Sequence, residues 1–304
     1  MAFVFFANIV FYLVMLQGGS MPKRTFIAVL LLAGWNLCPA QEDVVVIEDR
    51  FQVEADELQV DLNVDGGEVR ISRGEDAETI EVYLEYSREK CKSEVRFHED
   101  KSRLEIEVDL RNFKFWHSKG DDSSVHALIE LKLPYRPALD LDIGVKAGEV
   151  DMALGDLSIR SFELSNWAGE VDVDFDRPNR RLMETFDVNH RVGECNLHSL
   201  GNARFEQGDI NGGIGELAVD FGGSGIERCM ARIDLDIGET TIVVPHDVGT
   251  KLRVSKFLFL SSVAYPDWFE KDGRYYYSKN YDDVDRSLYL MISTGIGELG
   301  IEVN

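Results

Sequence analysis

Proline, cysteine and helix-length apolar periodicity are all scarce in this 304-residue chain. Seven prolines and a hydrophobic content of 44% exclude a disordered or linker-dominated polypeptide. Four cysteines, Cys38, Cys91, Cys195 and Cys229, are too few for a disulfide-built scaffold. No stretch repeats apolar residues at i, i+3 and i+4 over a helix length, which excludes a helical bundle. Acidic residues are missing from the first forty positions, so the remainder carries 55 Asp and Glu against 30 Lys and Arg. A chain with net charge −23 repels nucleic acid and anionic lipid, and neither is expected as a direct partner.

Catalytic punctuation is also missing. His98, His117, His126, His190, His198 and His246 form no His-x-x-His or His-Glu-x-x-His pair, and none stands beside a cysteine at zinc spacing. There is no Gly-x-Ser-x-Gly elbow. Gly222-Gly223-Ser224-Gly225 reads as a corner and not as a phosphate cradle. No catalytic residue and no cofactor are expected.

What the chain does have is one phrase, repeated. It reads Gly148-Glu149-Val150-Asp151-Met152, then recurs at Gly169, Gly193, Gly215 and Gly238, spaced by 21, 24, 22 and 23 residues, with a last copy at Gly297. A unit of this size predicts an all-β, right-handed β-helix built of coils of about 22 residues. Each copy alternates with period two: Val171, Val173 and Phe175 are apolar, while Glu170, Asp172, Asp174 and Asp176 are acidic. Alternation of this kind gives a strand one dry face and one wet face. Val150, Val171, Cys195, Leu217, Thr240 and Leu299 should form one inward column, with the glycines at corners that require positive φ.

Three segments follow. Residues 1–40 read as an export signal: Met21-Pro22-Lys23-Arg24 precedes an apolar run to Trp35, and Cys38-Pro39-Ala40 closes it with small residues at a cleavage position. Translation is then expected to start at Met21 and the mature chain at Gln41, in the periplasm or at the cell surface. The bulky Leu37 before Cys38 argues against lipidation. An apolar anchor over Phe3–Leu16 is the competing reading. Three cysteines would remain, so at least one stays free, and a Cys195–Cys229 bridge is left open. Residues 41–134 read as antiparallel strands that cap the coils, with an isolated early phrase at Gly67-Glu68-Val69 and an exposed loop over Lys114–Ser124. Residues 135–304 hold the coils and an aromatic excursion near 260–285 around Lys271-Asp272-Gly273-Arg274, read as a projecting hairpin.

Two sets of candidate binding residues emerge. Trp268, Phe269, Tyr275, Tyr276 and Tyr277 form either a lid packed over the coils, the preferred reading, or a binding surface. Asp172, Asp174 and Asp176 place like charges near one another on stacked coils, a solvated face or a weak Ca²⁺ candidate.

The run Gly213-Ile214-Gly215-Glu216-Leu217, with Asp236-Ile237-Gly238-Glu239-Thr240 through Gly249, resembles the C-terminal domain of LiaF-like cell-wall-active antibiotic response proteins. The preceding coils look like the toast-rack and adhesin-like β-solenoid families. The likeness is firmest over 200–304 and looser over 127–200. It implies a right-handed β-helical domain at the cell envelope, in some members tied to envelope-stress signalling. Taken together, the expectation is a non-enzymatic envelope scaffold with an envelope protein or glycan as partner. The alternatives are a stress-signalling accessory domain that binds a membrane partner, and a carbohydrate-active β-helix enzyme using paired aspartates.

Overall fold

A computed structural model describes residues 43–111, 127–256 and 261–304. The expected signal within 1–40 and the Lys114–Ser124 loop lie outside these residues. Among the described residues there is no α-helix, only strands and two single 3₁₀ turns, and no helix long and apolar enough to cross a membrane.

The strands are β1 (Val44–Gln52), β2 (Glu57–Val64), β3 (Gly67–Arg73), β4 (Thr79–Ser87), β5 (Cys91–His98), β6 (Arg103–Leu110) and β7 (Ala127–Leu133). Then come β8 (Ala138–Val145), β9 (Gly148–Ala153), β10 (Ile159–Asn166), β11 (Gly169–Asp174), β12 (Thr185–His198), β13 (Gln207–Asp220) and β14 (Arg228–Val244). The chain ends with β15 (Gly249–Lys256), β16 (Ser261–Ala264), β17 (Phe269–Asp272), β18 (Tyr275–Ser278) and β19 (Ser287–Val303).

They stack in two parallel columns that meet at the glycine corners. Before the corner, β6, β2, β8, β10 and the first halves of β12, β13, β14 and β19 lie side by side. After it come β7, β3, β9, β11 and the second halves of the same long strands. The arrangement is a β-solenoid-like stack. Antiparallel strands close its amino-terminal end, β5 on β6 in one column and β1 on β4 on β7 in the other. Phe51 and Phe97, from the two outermost strands, stack at 5.0 Å. The Gly67 phrase, expected to stand alone, instead belongs to the stack: Gly67 pairs with Gly148 and Glu68 with Glu149.

Sequence dictates this stacking at the corner. Gly67, Gly148, Gly169, Gly193, Gly215, Gly238 and Gly297 all have φ between +127° and +151°, a region side chains avoid. A Cβ on any of the last six would sit 1.8–1.9 Å from the carbonyl oxygen of the glycine in the neighbouring coil. The glycine ladder is therefore a requirement of both conformation and contact. The predicted inward column is present and in register: Val150, Val171, Cys195, Leu217, Thr240 and Leu299 are all at most 2% exposed.

The core continues from the pre-corner column toward the return turns. Phe186 stacks on Phe162 at 5.5 Å and on Phe205 at 4.5 Å, with Phe175 at 6.4 Å. Each buried ring contributes roughly 1.5–3 kcal/mol. Buried asparagines hold the turns. The Asn179 side chain accepts from Ile159 N–H and donates to the Ile159 and Arg181 carbonyls, and Asn202 donates to the Phe175 carbonyl and accepts from Ser224 N–H. These bonds satisfy backbone groups that no strand partner reaches.

Candidate functional site

The aromatic excursion is a hairpin of β17 and β18, with Gly273 at φ +58° in its turn. Its inner strand is not free. β18 runs antiparallel to β15, Lys251 opposite Tyr277 and Leu252 opposite Tyr276. Tyr265 stacks on Tyr276 at 4.3 Å, and both pack with Phe269 against the core. Burial, and the Tyr276 hydroxyl beside it, push the Tyr265 phenol up from its ordinary value. Trp268 lies 4.2 Å from the His246 ring. The Lys251 ammonium sits 4.1, 5.1 and 5.6 Å from the rings of Tyr275, Tyr289 and Tyr277, a tyrosine cage filled by the protein's own cation. Of the five aromatic candidates, Phe269 and Tyr276 serve packing, while Trp268, Tyr275 and Tyr277 keep half-exposed faces. Beside them, Tyr277 and Tyr281 share a groove of about 380 Å³ with Glu270, Asp272 and Asp282.

The acidic candidates separate. Asp172 and Asp174 point outward from β11, alternating with buried Val171 and Val173, whereas Asp176 follows the strand end. Asp172 faces His198 at 3.4 Å, and Asp176 lies 3.3 Å from Arg177. Among the described residues no three His, Cys, Asp or Glu side chains come together as a metal-holding group.

Two longer acidic rows run across the stack instead. Before the corner, Glu105, Asp61, Asp142, Glu163, Asp187 and Asp209 occupy successive strands in register. Arg103 pairs with Asp61 at one end and Arg232 with Asp209, at 2.8 Å, at the other. Burial first, and the neighbouring carboxylate second, hold Asp142 (beside Asp61) and Asp187 (beside Asp209) above the usual carboxylate range. A groove of about 370 Å³ opens next to this row, where Arg160 bridges Asp140 at 2.9 Å and Glu57 at 2.6 Å. After the corner, Glu68, Glu149, Glu170, Glu194, Glu216, Glu239 and Glu298 form a second register of seven. Parallel strands place such neighbours about 4.8 Å apart.

Cys91, Cys195 and Cys229 are free and buried, so the Cys195–Cys229 bridge left open above is not formed. Burial pushes the Cys195 and Cys229 thiols up to about 12, which makes them inert packing residues.

Sequence reading missed two polar clusters. Asp156, at φ +59°, pairs bidentately with Arg180 at 2.8 and 2.9 Å, lies 3.3 Å from Arg73, and has Tyr135 stacked under both guanidiniums. His190, only 4% exposed, sits in register with fully buried Asn166, whose amide has no hydrogen-bond partner, and the Gly193 backbone lies beside the imidazole. Burial pushes the His190 imidazole below its ordinary value. The 23-residue separation of Asn179 and Asn202, close to the glycine repeat, was a usable signal for the turn asparagines; the clusters around Asp156 and His190 carried none.

Residues 39–184 match the family model described as the N-terminal domain of toast_rack, DUF2154. The toast-rack likeness holds. It is read on the coils that precede residue 200, and the match carries it back to residue 39, over the start of the stack. No curated protein matches this chain. Among solved structures, a candidate cell-adhesion protein of Clostridium sporogenes is 18% identical, with a TM-score of 0.44 over 86% of this chain and all of its own. A candidate adhesin of Bacteroides fragilis is 12% identical, with a TM-score of 0.37 over 84% of this chain and 97% of its own. A candidate lipid-binding protein of Parabacteroides distasonis is 9% identical, with a TM-score of 0.35 over 84% of this chain and 96% of its own.

Proposed function

We propose that this toast-rack protein is an exported, non-enzymatic scaffold of the bacterial envelope, adhesin-like in use. Its right-handed coils of about 22 residues hold side chains at fixed intervals for an envelope protein or glycan. We take residues 1–40 as its export signal, 41–134 as the capped start of the stack, and 135–304 as its regular body. The observation that carries this reading is the continuous in-register stack from β6 to β19, whose outward positions repeat like with like. Repetition suits multivalent recognition and not a single reacting centre. Half-exposed Tyr277 and Tyr281 beside Glu270, Asp272 and Asp282 present a ring face next to hydrogen-bond acceptors, chemistry that suits a glycan hydroxyl surface.

Fractionation of the native host, followed by N-terminal sequencing, tests the location. The expected product starts at Gln41 outside the cytoplasm; a membrane-retained product carrying Met1–Gln17 overturns it. Incubation with envelope glycans tests the class, since cleavage of a bound glycan would replace the scaffold reading with an enzymatic one.

A further inference from the structure

Half of the large apolar side chains left exposed among the described residues stand in one line. Val192, Ile214, Ile237 and Ile296, between 43% and 51% exposed, are mutual register partners in β12, β13, β14 and β19. Each immediately precedes a corner glycine, so the line forms a ridge along the outside of the bend. The fold does not demand bulk there. The positions before Gly148 and Gly169 hold Ala147 and Ala168. Trp167, 59% exposed with the Arg191 guanidinium 5.0 Å from its ring, stands next to Ala168 at the same end of the ridge. Two residues past every ridge position comes an exposed glutamate: Glu194, Glu216, Glu239 and Glu298. None of these four forms an ion pair among the described residues.

We infer that this ridge and its glutamate row dock a basic amphipathic α-helix of a partner protein. The inference deepens the scaffold reading by naming the face and the occupant, and it rests on that reading. The geometry selects a helix over a strand. Ridge side chains recur about every 4.8 Å along the stack, close to the 5.4 Å pitch at which a helix presents an apolar residue. Side chains on one face of a strand recur about every 6.8 Å and fall out of step. Four ridge positions span about 14 Å, some nine or ten helical residues. Lys or Arg flanking the helix's apolar stripe then meets the unpaired glutamates, each such pair modest alone but repeated along one line. A second copy of this chain is a poor occupant: a four-residue ridge is far below the roughly 1,200 Å² that a stable dimer buries, and two rows of glutamate would be brought to one interface.

The test titrates the chain described here with a synthetic helix of about 18 residues carrying a leucine stripe flanked by lysines. A scrambled peptide of the same composition is the control, and a photo-reactive leucine analogue in the stripe maps the contact. The expected result is saturable binding of the patterned helix and cross-links at Val192, Ile214, Ile237 or Ile296. The paired Ile214→Thr and Ile237→Thr variant keeps β-branched shape and should bind about tenfold or more weakly. Replacing Glu194, Glu216 and Glu239 by Gln should flatten the salt dependence of binding. Equal binding of the scrambled peptide, cross-links elsewhere, unchanged affinity of the threonine variant, or no binding would each overturn the inference. Should the threonine variant fail to fold, the cross-link map on the unaltered chain decides. A negative titration leaves the location measurement untouched, so failure of the ridge and failure of the envelope reading are distinguishable.

Discussion

A single methyl group is enough to test the corner. In Gly193→Ala the new Cβ would lie 1.9 Å from the Gly169 carbonyl oxygen, on a backbone held at φ +127°. The rare φ alone is worth about 1–3 kcal/mol, and the clash with backbone cannot be relieved by a rotamer change. Thermal melts should show Gly193→Ala lower by several degrees at roughly 2–4 °C per kcal/mol. Gly300→Ala, with nothing within 4 Å of its Cβ and no positive φ, should melt like the parent. Equal melting of the two variants would remove the glycine ladder as the determinant of stacking. The same contrast applies across β11: Val173→Asp puts a charge at a site with no exposure and should unfold the domain, whereas Asp174→Asn should not.

His190 sets the acid side of stability. Its imidazole is buried and its folded-state affinity for a proton is lowered, burial outweighing the Gly193 backbone contact, whereas the unfolded chain binds a proton near the ordinary value of 6.5. The unfolded state therefore takes up more protons as pH falls below about 6.5, and stability present above that pH is lost below it. Asp142 and Asp187 act in the opposite sense. Their raised folded pKa values make the carboxylate row stabilising below the ordinary value of 3.8 and progressively less so as pH rises above it. Melts from pH 7 to pH 5 should fall less steeply for His190→Leu than for the parent. Asp187→Asn should stabilise at pH 7 and do little at pH 3. An unchanged slope in His190→Leu would show that this histidine is not what titrates.

Among elements, the hairpin of β17 and β18 depends on what lies beneath it. Tyr276 contributes both the 4.3 Å stack on Tyr265 and the strand pairing with Leu252. Truncation to Ala should loosen the hairpin, seen as faster amide exchange over 269–278 with the rest of the stack unaffected. Lys251→Met should keep the packing but remove the cation from between three tyrosines, for a loss of about 0.5–2 kcal/mol. The period-two strands, the inward column and the acidic outward faces were legible because alternation and glycine spacing are local properties. The pairing of β3 with β9 was not: 81 residues separate Gly67 from Gly148, and a single copy of a phrase carries no register. Nor could the sequence join Arg73, Tyr135, Asp156 and Arg180, which meet only because the return turns stack. The candidate aspartates illustrate the same limit. Period two placed Asp172 and Asp174 on the outside, but only the stack reveals that their neighbours are His198 and other coils, with no shared ligand between them.

For the molecule as a whole, the dominant electrostatic fact is a net charge of −23 arranged in rows. Seven glutamates after the corner and six carboxylates before it repeat across adjacent strands. At about 4.8 Å, two unit charges in water repel by somewhat under 1 kcal/mol, and every interior member of a row has two such neighbours. The hydrophobic interior and the strand ladder outweigh that repulsion, but the repulsion scales with row length while salt cuts it back. The Debye length falls from about 30 Å at 0.01 M to about 10 Å at 0.1 M and 3 Å at 1 M, so contributions from beyond the nearest neighbour vanish first. Melting temperature should therefore rise with added sodium chloride, most steeply at the low end. The triple variant Glu194→Gln, Glu216→Gln, Glu239→Gln breaks the middle of the longer row without touching a buried atom or an ion pair. It should melt above the parent in dilute buffer and converge with it in 1 M salt. If the gap persists in high salt, the gain comes from strand propensity or hydration of the amides, and the rows are then electrostatically silent.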